Sequence, residues 1–522
     1  MQIQYVIRRG EYYDSVTLMQ IAQTLIGAKA VDDAAVVMAT EANKAILRDA
    51  GLLVPLLRDA GPGDLVIVVK ASTEDKAHQA LELAQAHLAE KPTSTAPSAQ
   101  DRPRTIHSAK GSNPKANVAV ISVAGAHAAA EAWEALRAGL HVFLFSDNVS
   151  VEAEVSLKEY AVAHDLLMMG PGCGTAIING VGLGFANAVP RGPVGIVTAA
   201  GTGLQEITSL LARRDVGISQ AIGTGGRDLS DSVGGIITLQ SVAALQADPA
   251  TRALIIVSKP PSPAVAQRVL SQVGHSTKPT VVCFLGSDSA AASAVGAIPA
   301  RTLQEAAYLA AAEVEGYEGA SADEAIERET VDLRKQSARL RSRLVAGQQY
   351  PRGLFSGGTL ASEALVIWRS MVDGVRSNVS LDPGWRVDGL ARCKGNCAWD
   401  LGAEELTIGR LHPMIDSSLR TRRLIEEASD PTVAAIVLDV VLGHGAHPDP
   451  ASELAPAVAL ARETALARSR ELLFLASVTG TEADPQIRSR QVEELTRAGV
   501  IVCASNAAAA RLAGLIIRPR RA

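Results

Sequence analysis

PVGIVTAAGTGLQEI, residues 193–207, opens on an apolar, β-branched run, turns through Ala-Ala-Gly-Thr-Gly and continues with apolar residues at helical spacing. It reads as a short buried strand, a glycine turn and a helix. A helix entered this way leaves its first N–H groups without intrahelical acceptors, and its dipole adds positive potential there. Phosphate or carboxylate suits such a place. A tight α/β turn with no ligand has the same local pattern, so the rest of the chain must decide.

The chain repeats the design. GIVTAAGTGLQEITSLL (195–211) is matched by GLFSGGTLASEALVIW (353–368), DPATRALIIVS (248–258) by DPTVAAIVLDV (430–440), and PTVVCFLGSDSAAASAVGAI (279–298) loosely by LLFLASVTGTEADPQIRSRQ (472–491). Two copies of one flavodoxin-like α/β unit therefore follow each other, each opening with strand, Gly/Thr turn and helix. Two equivalent helix N-termini point to a paired anion clamp. The charged stretch 321–347 between the copies reads as a connecting helix.

Upstream, strands and helices alternate. Residues 1–90 suit a small α+β module, 91–116 form a Ser-, Pro- and Thr-rich linker, and 117–190 carry successive βα units that predict a parallel sheet. The two repeats then occupy 191–312 and 351–522, joined by a helical connector at 313–350.

Composition sets outer limits. At 522 residues, 47% hydrophobic but only 3% aromatic, the chain has cores of Ala, Val, Leu and Ile, enough for about three or four domains. A net charge of −5 with no basic stripe argues against nucleic acid. No stretch is long and apolar enough for a membrane span, and MQIQYVIRRGEYYD lacks a signal-peptide core. A cytoplasmic protein is expected. The five cysteines are few, and Cys393 and Cys397 lack a second pair, so loop thiols are expected rather than a metal site.

Taken together, these elements resemble the succinyl-CoA synthetase superfamily and, more closely, its FdrA branch, over most of the chain. MMGPGCG (168–174) is similar to the Gly-Pro-Asn turn closing the synthetases' CoA-binding domain, and GTGGRDLSD (223–231) to their Gly-Gly-Asp loop. DLGAEELTIGRLHPMID (400–416), DVVLGHGAHPDPA (439–451) and SVTGTEADPQ (477–486) look like FdrA segments. The resemblance implies an α/β protein: a small N-terminal α+β module, a Rossmann-type CoA-binding-like domain at 117–190, and two tandem flavodoxin-like ligase domains. In the synthetases two facing helix N-termini hold a phosphorylated histidine.

The departures direct the functional reading. The synthetase Gly-His-Ala-Gly-Ala-Ile run corresponds to SAVGAI (293–298), with Ala294 in the histidine's place, and the glutamate that orients that histidine falls near Lys259. Phosphoryl relay needs both groups. SVAGAHAAAE (122–131) offers one glycine where a dinucleotide fingerprint has three, which counts against CoA. FdrA proteins are associated with allantoin catabolism, as a component of oxamate carbamoyltransferase, which interconverts oxalurate and phosphate with oxamate and carbamoyl phosphate. The resemblance thus implies a carbamoyltransferase subunit with no firm cofactor, phosphate or carbamoyl phosphate as ligand, small-molecule substrates, other protein subunits as partners, and an oligomer. An NDP-forming acyl-CoA synthetase and a non-catalytic scaffold or regulatory subunit are the alternatives.

The anion-binding candidates are Gly201, Thr202 and Gly203 with Ser356, Gly357, Gly358 and Thr359. Gly225, Gly226, Arg227 and Asp228 form a substrate loop expected to face the first turn, and Lys259 can charge-balance a phosphate oxygen; a surface ion pair and a solvated lysine are the plain alternatives. Arg410, His412 and Asp416 crowd one loop and are the catalytic candidates: arginine grips a carboxylate bidentately and histidine shuttles protons near neutral pH. His444, His447 and Asp449 read as polar loop residues, no metal being expected. SLRTR (418–422) copies the phosphate motif of ordinary aspartate and ornithine carbamoyltransferases but lacks their later His-Pro-x-Gln, and is read as coincidence.

Overall fold

The computed structural model describes residues 2–11, 13, 15–26, 31–61, 63–89, 103–315, 321–380, 382–387, 389, 393–407 and 411–517. The chain forms two compact units, one of residues 1–102 with 407–411, the other of 103–406 with 412–522.

In the first unit, β1 (Gln2–Arg8), α1 (Ser15–Ile26), β2 (Val31–Met38), α2 (Glu41–Asp49), β3 (Leu65–Ala71) and α3 (Glu74–Ala89) follow in order. The sheet runs β1-β3-β2, with β3 antiparallel to both neighbours. β3 reads LVIVVKA and is buried along nearly its whole length, as a central strand covered on both faces must be. One apolar cluster joins it to α1 and α3, and a second includes Leu47, Leu52 and Leu57. This is the expected α+β module.

The second unit begins within the expected linker. There, α4 (Ile106–Ser112) is a true helix, because Thr105 and Ser108 form a reciprocal capping box; residues 90–102 lie outside the described set. β4 (Val118–Ile121), α5 (Gly125–Arg137), β5 (His141–Leu144), α6 (Val151–Ala163) and β6 (Met168–Met169) build a three-stranded parallel sheet, β4-β5-β6. The expected boundary at 190 does not hold. The hairpin β7 (Thr175–Ile178) and β8 (Val181–Gly184) joins the next sheet, because β7 pairs antiparallel with that sheet's outer strand.

The first repeat follows: β9 (Arg191–Thr198), α7 (Gly201–Ala212), β10 (Ile218–Gly223), α8 (Ile236–Ala247), β11 (Ala253–Ser258), α9 (Pro263–Gly274), β12 (Thr280–Phe284), α10 (Ala290–Ala294), β13 (Ile298–Pro299) and α11 (Leu303–Glu315). Next comes the connector α12 (Ala322–Arg341), with a Ser321–Glu324 capping box and with Arg339 and Arg341 in its last turn, where they complement the helix dipole. The second repeat has β14 (Tyr350–Phe355), α13 (Gly358–Arg369), β15 (Val375–Ser377), β16 (Asn396–Asp400), α14 (Glu404–Thr407), α15 (Ser418–Ala428), β17 (Val433–Val441), α16 (Pro450–Leu466), β18 (Leu473–Thr479), α17 (Arg488–Arg497), β19 (Ile501–Cys503) and α18 (Asn506–Ile517).

The strand orders β10-β9-β11-β12-β13 and β16-β14-β17-β18-β19 are the same flavodoxin-like order, with crossovers that place ligand-binding loops at the carboxyl ends of the strands. The two copies do not form separate cores. One apolar cluster runs from Ile196 and Leu204 through Leu303 and Ala306 to Phe355, Leu360, Trp368 and Ala507. Alanines 306, 307, 310 and 311 of α11 and 507 to 510 of α18 let these equivalent helices bury with little side-chain bulk. That shared core fixes α7 against α13.

Candidate functional site

The two Gly/Thr turns meet head to head. Neither α7 nor α13 has a side-chain cap, their N-cap residues being Ala200 and Gly357. A Cβ on Gly203 would stand 2.8 Å from Thr359 Cγ2, and one on Gly357 would stand 2.5 Å from Thr202 Oγ1. The threonine of each turn thus rests on a glycine of the other, and any larger residue there would drive the helices apart. The first three N–H groups of each helix lack intrahelical acceptors, so two positive helix ends converge.

The second turn is not wholly open, which corrects part of the anion-site expectation. Ser356 donates its N–H (2.8 Å) and its hydroxyl (3.0 Å) to Asp439 Oδ1, and Gly357 N–H donates to Asp439 Oδ2 at 3.0 Å. Asp439 extends from β17 and is fully buried; burial raises its carboxyl above the ordinary value, against the opposing pull of Arg420. Arg420 Nη1 donates to Asp439 Oδ1 at 2.9 Å and to its carbonyl at 2.6 Å. Ser356 and Gly357 are therefore occupied by the chain's own carboxylate, and Gly358 and Thr359 open the helix beyond it. SLRTR does open a helix, α15, but its Arg420 is committed to Asp439.

Two further groups flank the second turn. A Cβ on Gly358 would meet Asp400 Oδ2 at 2.4 Å and Lys259 Nζ at 3.0 Å. Lys259 is exposed just beyond β11, and Asp400, at the end of β16, is 5% exposed. Burial pushes the Asp400 carboxyl up to about 6, while Lys259 and the Gly402 N–H favour its charged form. Near Gly201 of the first turn, the buried Thr175 hydroxyl has no hydrogen-bond partner. Asp400, Asp439 and Thr175 were missed in the sequence. An acidic residue at the carboxyl end of a buried strand was the available signal for the two aspartates.

Other sequence candidates fall elsewhere. Arg227 donates to Glu154 at 3.0 Å and to Val149 O at 2.7 Å, and Asp228 pairs with Lys158 at 2.7 Å. Asp228 also accepts from Thr238 N at 2.8 Å in the first turn of α8. Both charges thus dock α6 onto the glycine loop; burial demands the pairing of Asp228, Lys158 and Glu154, while Arg227 covers them from the exposed side. Gly225, at φ +91°, backs onto Pro171, whose carbonyl would lie 2.6 Å from a Cβ; a Cβ on Gly226 would meet nothing within 4 Å.

Asp416 accepts from Ser418 N at 2.9 Å and Ser418 Oγ at 3.0 Å, serving the start of α15. His412 lies beside Gly402, with its Nδ1 accepting from Met414 N at 3.2 Å. Burial and the Arg420 charge push it down to about 4, so it is neutral near pH 7. Arg410 lies outside the described residues. His447 stands 3.6 Å from Glu453, and Asp449 pairs with Arg490 at 2.9 Å. Cys393 and Cys397 are joined in a disulfide rather than standing as loop thiols, and Cys173, Cys283 and Cys503 are free and buried.

Family models match three stretches: AllF, heavy metal-associated domain, over residues 1–104; CoA binding domain over 191–286; and CoA-ligase over 354–516. The second falls where the sequence reading placed its first ligase-type domain. The chain therefore has a mixed α/β fold with CoA-binding and CoA-ligase domains behind a small N-terminal domain. Residues 1–104 contain no cysteine, and no cluster of three or more His, Cys, Asp or Glu among the described residues is placed to hold a metal, so that segment does not fit a soft-metal carrier. Gly125, the first residue of α5, has Asp147 O 2.1 Å from its would-be Cβ, so only glycine fits there.

The uncharacterized protein YahF of Escherichia coli (strain K12) is 43% identical over 510 residues, 97% of each chain. The alpha subunit of ADP-forming succinate–CoA ligase from Aquifex aeolicus (strain VF5) is 29% identical over 150 residues, 28% of this chain and 48% of that one. The chain thus spans about half of that subunit. Among solved structures, ATP citrate lyase from Methanothrix soehngenii, in complex with citrate and coenzyme A, aligns with a TM-score of 0.35 at 14% identity, over 79% of this chain and 84% of that one. No described helix is long and apolar enough to cross a membrane.

Proposed function

This chain belongs to the family of the Escherichia coli protein YahF, and on that premise we propose that it is the synthetase-like subunit of a carbamoyltransferase, of the FdrA type, converting oxalurate and phosphate to oxamate and carbamoyl phosphate. The observation that carries the proposal is the pair of uncapped helix N-termini, Gly201–Gly203 and Gly358–Thr359, packed head to head with Lys259 beside them. An acyl-CoA synthetase would use such a clamp for a phosphohistidine. Here Ala294 occupies the histidine's place in the run, and it lies exposed at the end of α10. A clamp without a resident nucleophile suits phosphate that enters as a substrate. Two dipole ends and one ammonium offset its charge and aim one oxygen at the carbamoyl carbon, so transfer proceeds by positioning and electrostatics without a covalent enzyme intermediate. Other subunits complete the substrate pocket.

The CoA-binding and CoA-ligase matches favour a second reading, an NDP-forming acyl-CoA synthetase. One assay separates the two. The chain co-expressed with its genomic neighbours receives oxalurate and inorganic phosphate, and carbamoyl phosphate is detected by coupling to ADP. Phosphate-dependent product that disappears without this chain supports the transferase. No such product, but CoA-dependent ADP release from ATP and a carboxylic acid, supports the synthetase instead.

A further inference from the structure

We propose that Asp400 is the proton-transfer group of this site and that Lys259, across Gly358 from it, tunes that role; the inference rests on the carbamoyl-transfer reading above. Asp400 is held as a positioned group is held. Its backbone N–H donates to Asn378 Oδ1 and its carbonyl accepts from Asn378 Nδ2, both at 2.9 Å. Its Oδ1 accepts from Gly402 N–H at 3.0 Å. That leaves Oδ2 aimed at Gly358, the first residue of α13, where a Cβ would lie 2.4 Å away. Only glycine leaves that approach open, and Lys259 Nζ reaches the same point from the other repeat. An ammonium, a helix end and a buried carboxyl thus converge where the two repeats meet.

The chemistry has use for such a group. Hydrogenphosphate oxygen forms a bond to the carbamoyl carbon, and the C–N bond to the departing amide breaks, its electron pair going to nitrogen. That nitrogen needs a proton, and hydrogenphosphate must lose one. Asp400 gives its proton to the nitrogen and takes the proton of hydrogenphosphate, so the carboxyl is restored and the atoms balance. Burial makes the neutral acid accessible near neutral pH, as a general acid requires. The Asp439 and Glu405 carboxylates reinforce that shift and Lys259 opposes it, so removing Lys259 leaves Asp400 protonated to higher pH.

The test uses the full chain in its co-expressed assembly. Asp400→Asn keeps the acceptor for Gly402 N–H but carries no transferable proton. It is expected to lower turnover about 100-fold or more. Lys259→Gln is expected to move the basic limb of the pH–rate profile to higher pH than in the wild type. A readout independent of turnover is proton uptake when inorganic phosphate binds, measured by calorimetry in two buffers of different ionisation enthalpy. Near pH 7, Asp400→Asn should bind phosphate with fewer protons taken up, or more released, than the wild type. Asp400→Asn turnover within threefold of wild type, or a basic limb that stays in place in Lys259→Gln, overturns the role of Asp400 and leaves the transferase standing. If Asp400→Asn fails to fold, the Lys259→Gln profile decides alone. A wild-type assembly that makes no phosphate-dependent carbamoyl phosphate overturns both.

Discussion

Glu206 and Glu363 hold equivalent places in α7 and α13, and each caps the last helix of the opposite repeat. Glu206 accepts from Asn506 N–H at 2.9 Å, at the start of α18, and Glu363 accepts from Leu303 N–H at 2.6 Å, at the start of α11. Asn506 links them, since its side-chain amide also donates to Glu363 at 2.7 Å. The helices whose N-termini meet head to head are therefore locked by reciprocal caps one and a half turns further in.

Removing either carboxylate strands buried donors. Glu206→Ala and Glu363→Ala are each expected to cost about 2–3 kcal/mol. The double variant should lose less than the sum, because both carboxylates hold Asn506. Urea unfolding of the four chains measures the coupling, and strict additivity would show the caps to be independent.

Stability should also depend on pH through Glu363. Burial pushes its carboxyl up to about 7, from an ordinary value of 4.5. The folded state therefore binds the proton more tightly than the unfolded chain does. The stabilisation is full below about pH 4.5 and is lost as pH rises through 7, by roughly 3 kcal/mol in all. Glu363→Gln should flatten that slope between pH 5 and 7.5, as read from denaturant midpoints.

The glycine of the second turn is a steric requirement with a named partner. Gly357→Ala would place its Cβ 2.5 Å from Thr202 Oγ1 and 2.7 Å from Thr202 Cβ. Overpacking of this kind costs about 1–3 kcal/mol. Adding Thr202→Gly removes every atom in that clash and should recover most of the overpacking loss, whereas Thr202→Ala should not. Thermal unfolding of the single and double variants distinguishes these outcomes.

Arg420 and Asp439 form a buried pair 2.9 Å apart. Arg420→Ala leaves Asp439 uncompensated and is expected to cost about 3–5 kcal/mol. The same change removes a charge that holds His412 down, so the His412 pKa should rise from about 4. Histidine NMR titration would detect the rise, and an unmoved His412 would show that burial alone sets it.

The expected repeat, the strand–turn–helix openings and the connecting helix all appear, because each is written in local patterns: apolar runs for buried strands, 3.6-residue spacing for helices, glycine where the chain turns. Ser356 and Gly357 misled for a definite reason. Their sequence shows N–H groups without local partners but not the carboxylate that reaches them from β17, more than 80 residues later.

Sequence alone thus determined what this protein is made of: two copies of one α/β unit, each opening with a strand, a glycine turn and a helix. Tertiary structure decided how the copies are used. Which turn keeps its N–H groups, which aspartate fills the other, and which carboxyl waits beside Gly358 all depend on strands brought together by parallel crossovers. Local propensity fixes backbone conformation over a few residues, but a hydrogen-bond acceptor belongs to whatever the fold places within 3 Å of the donor.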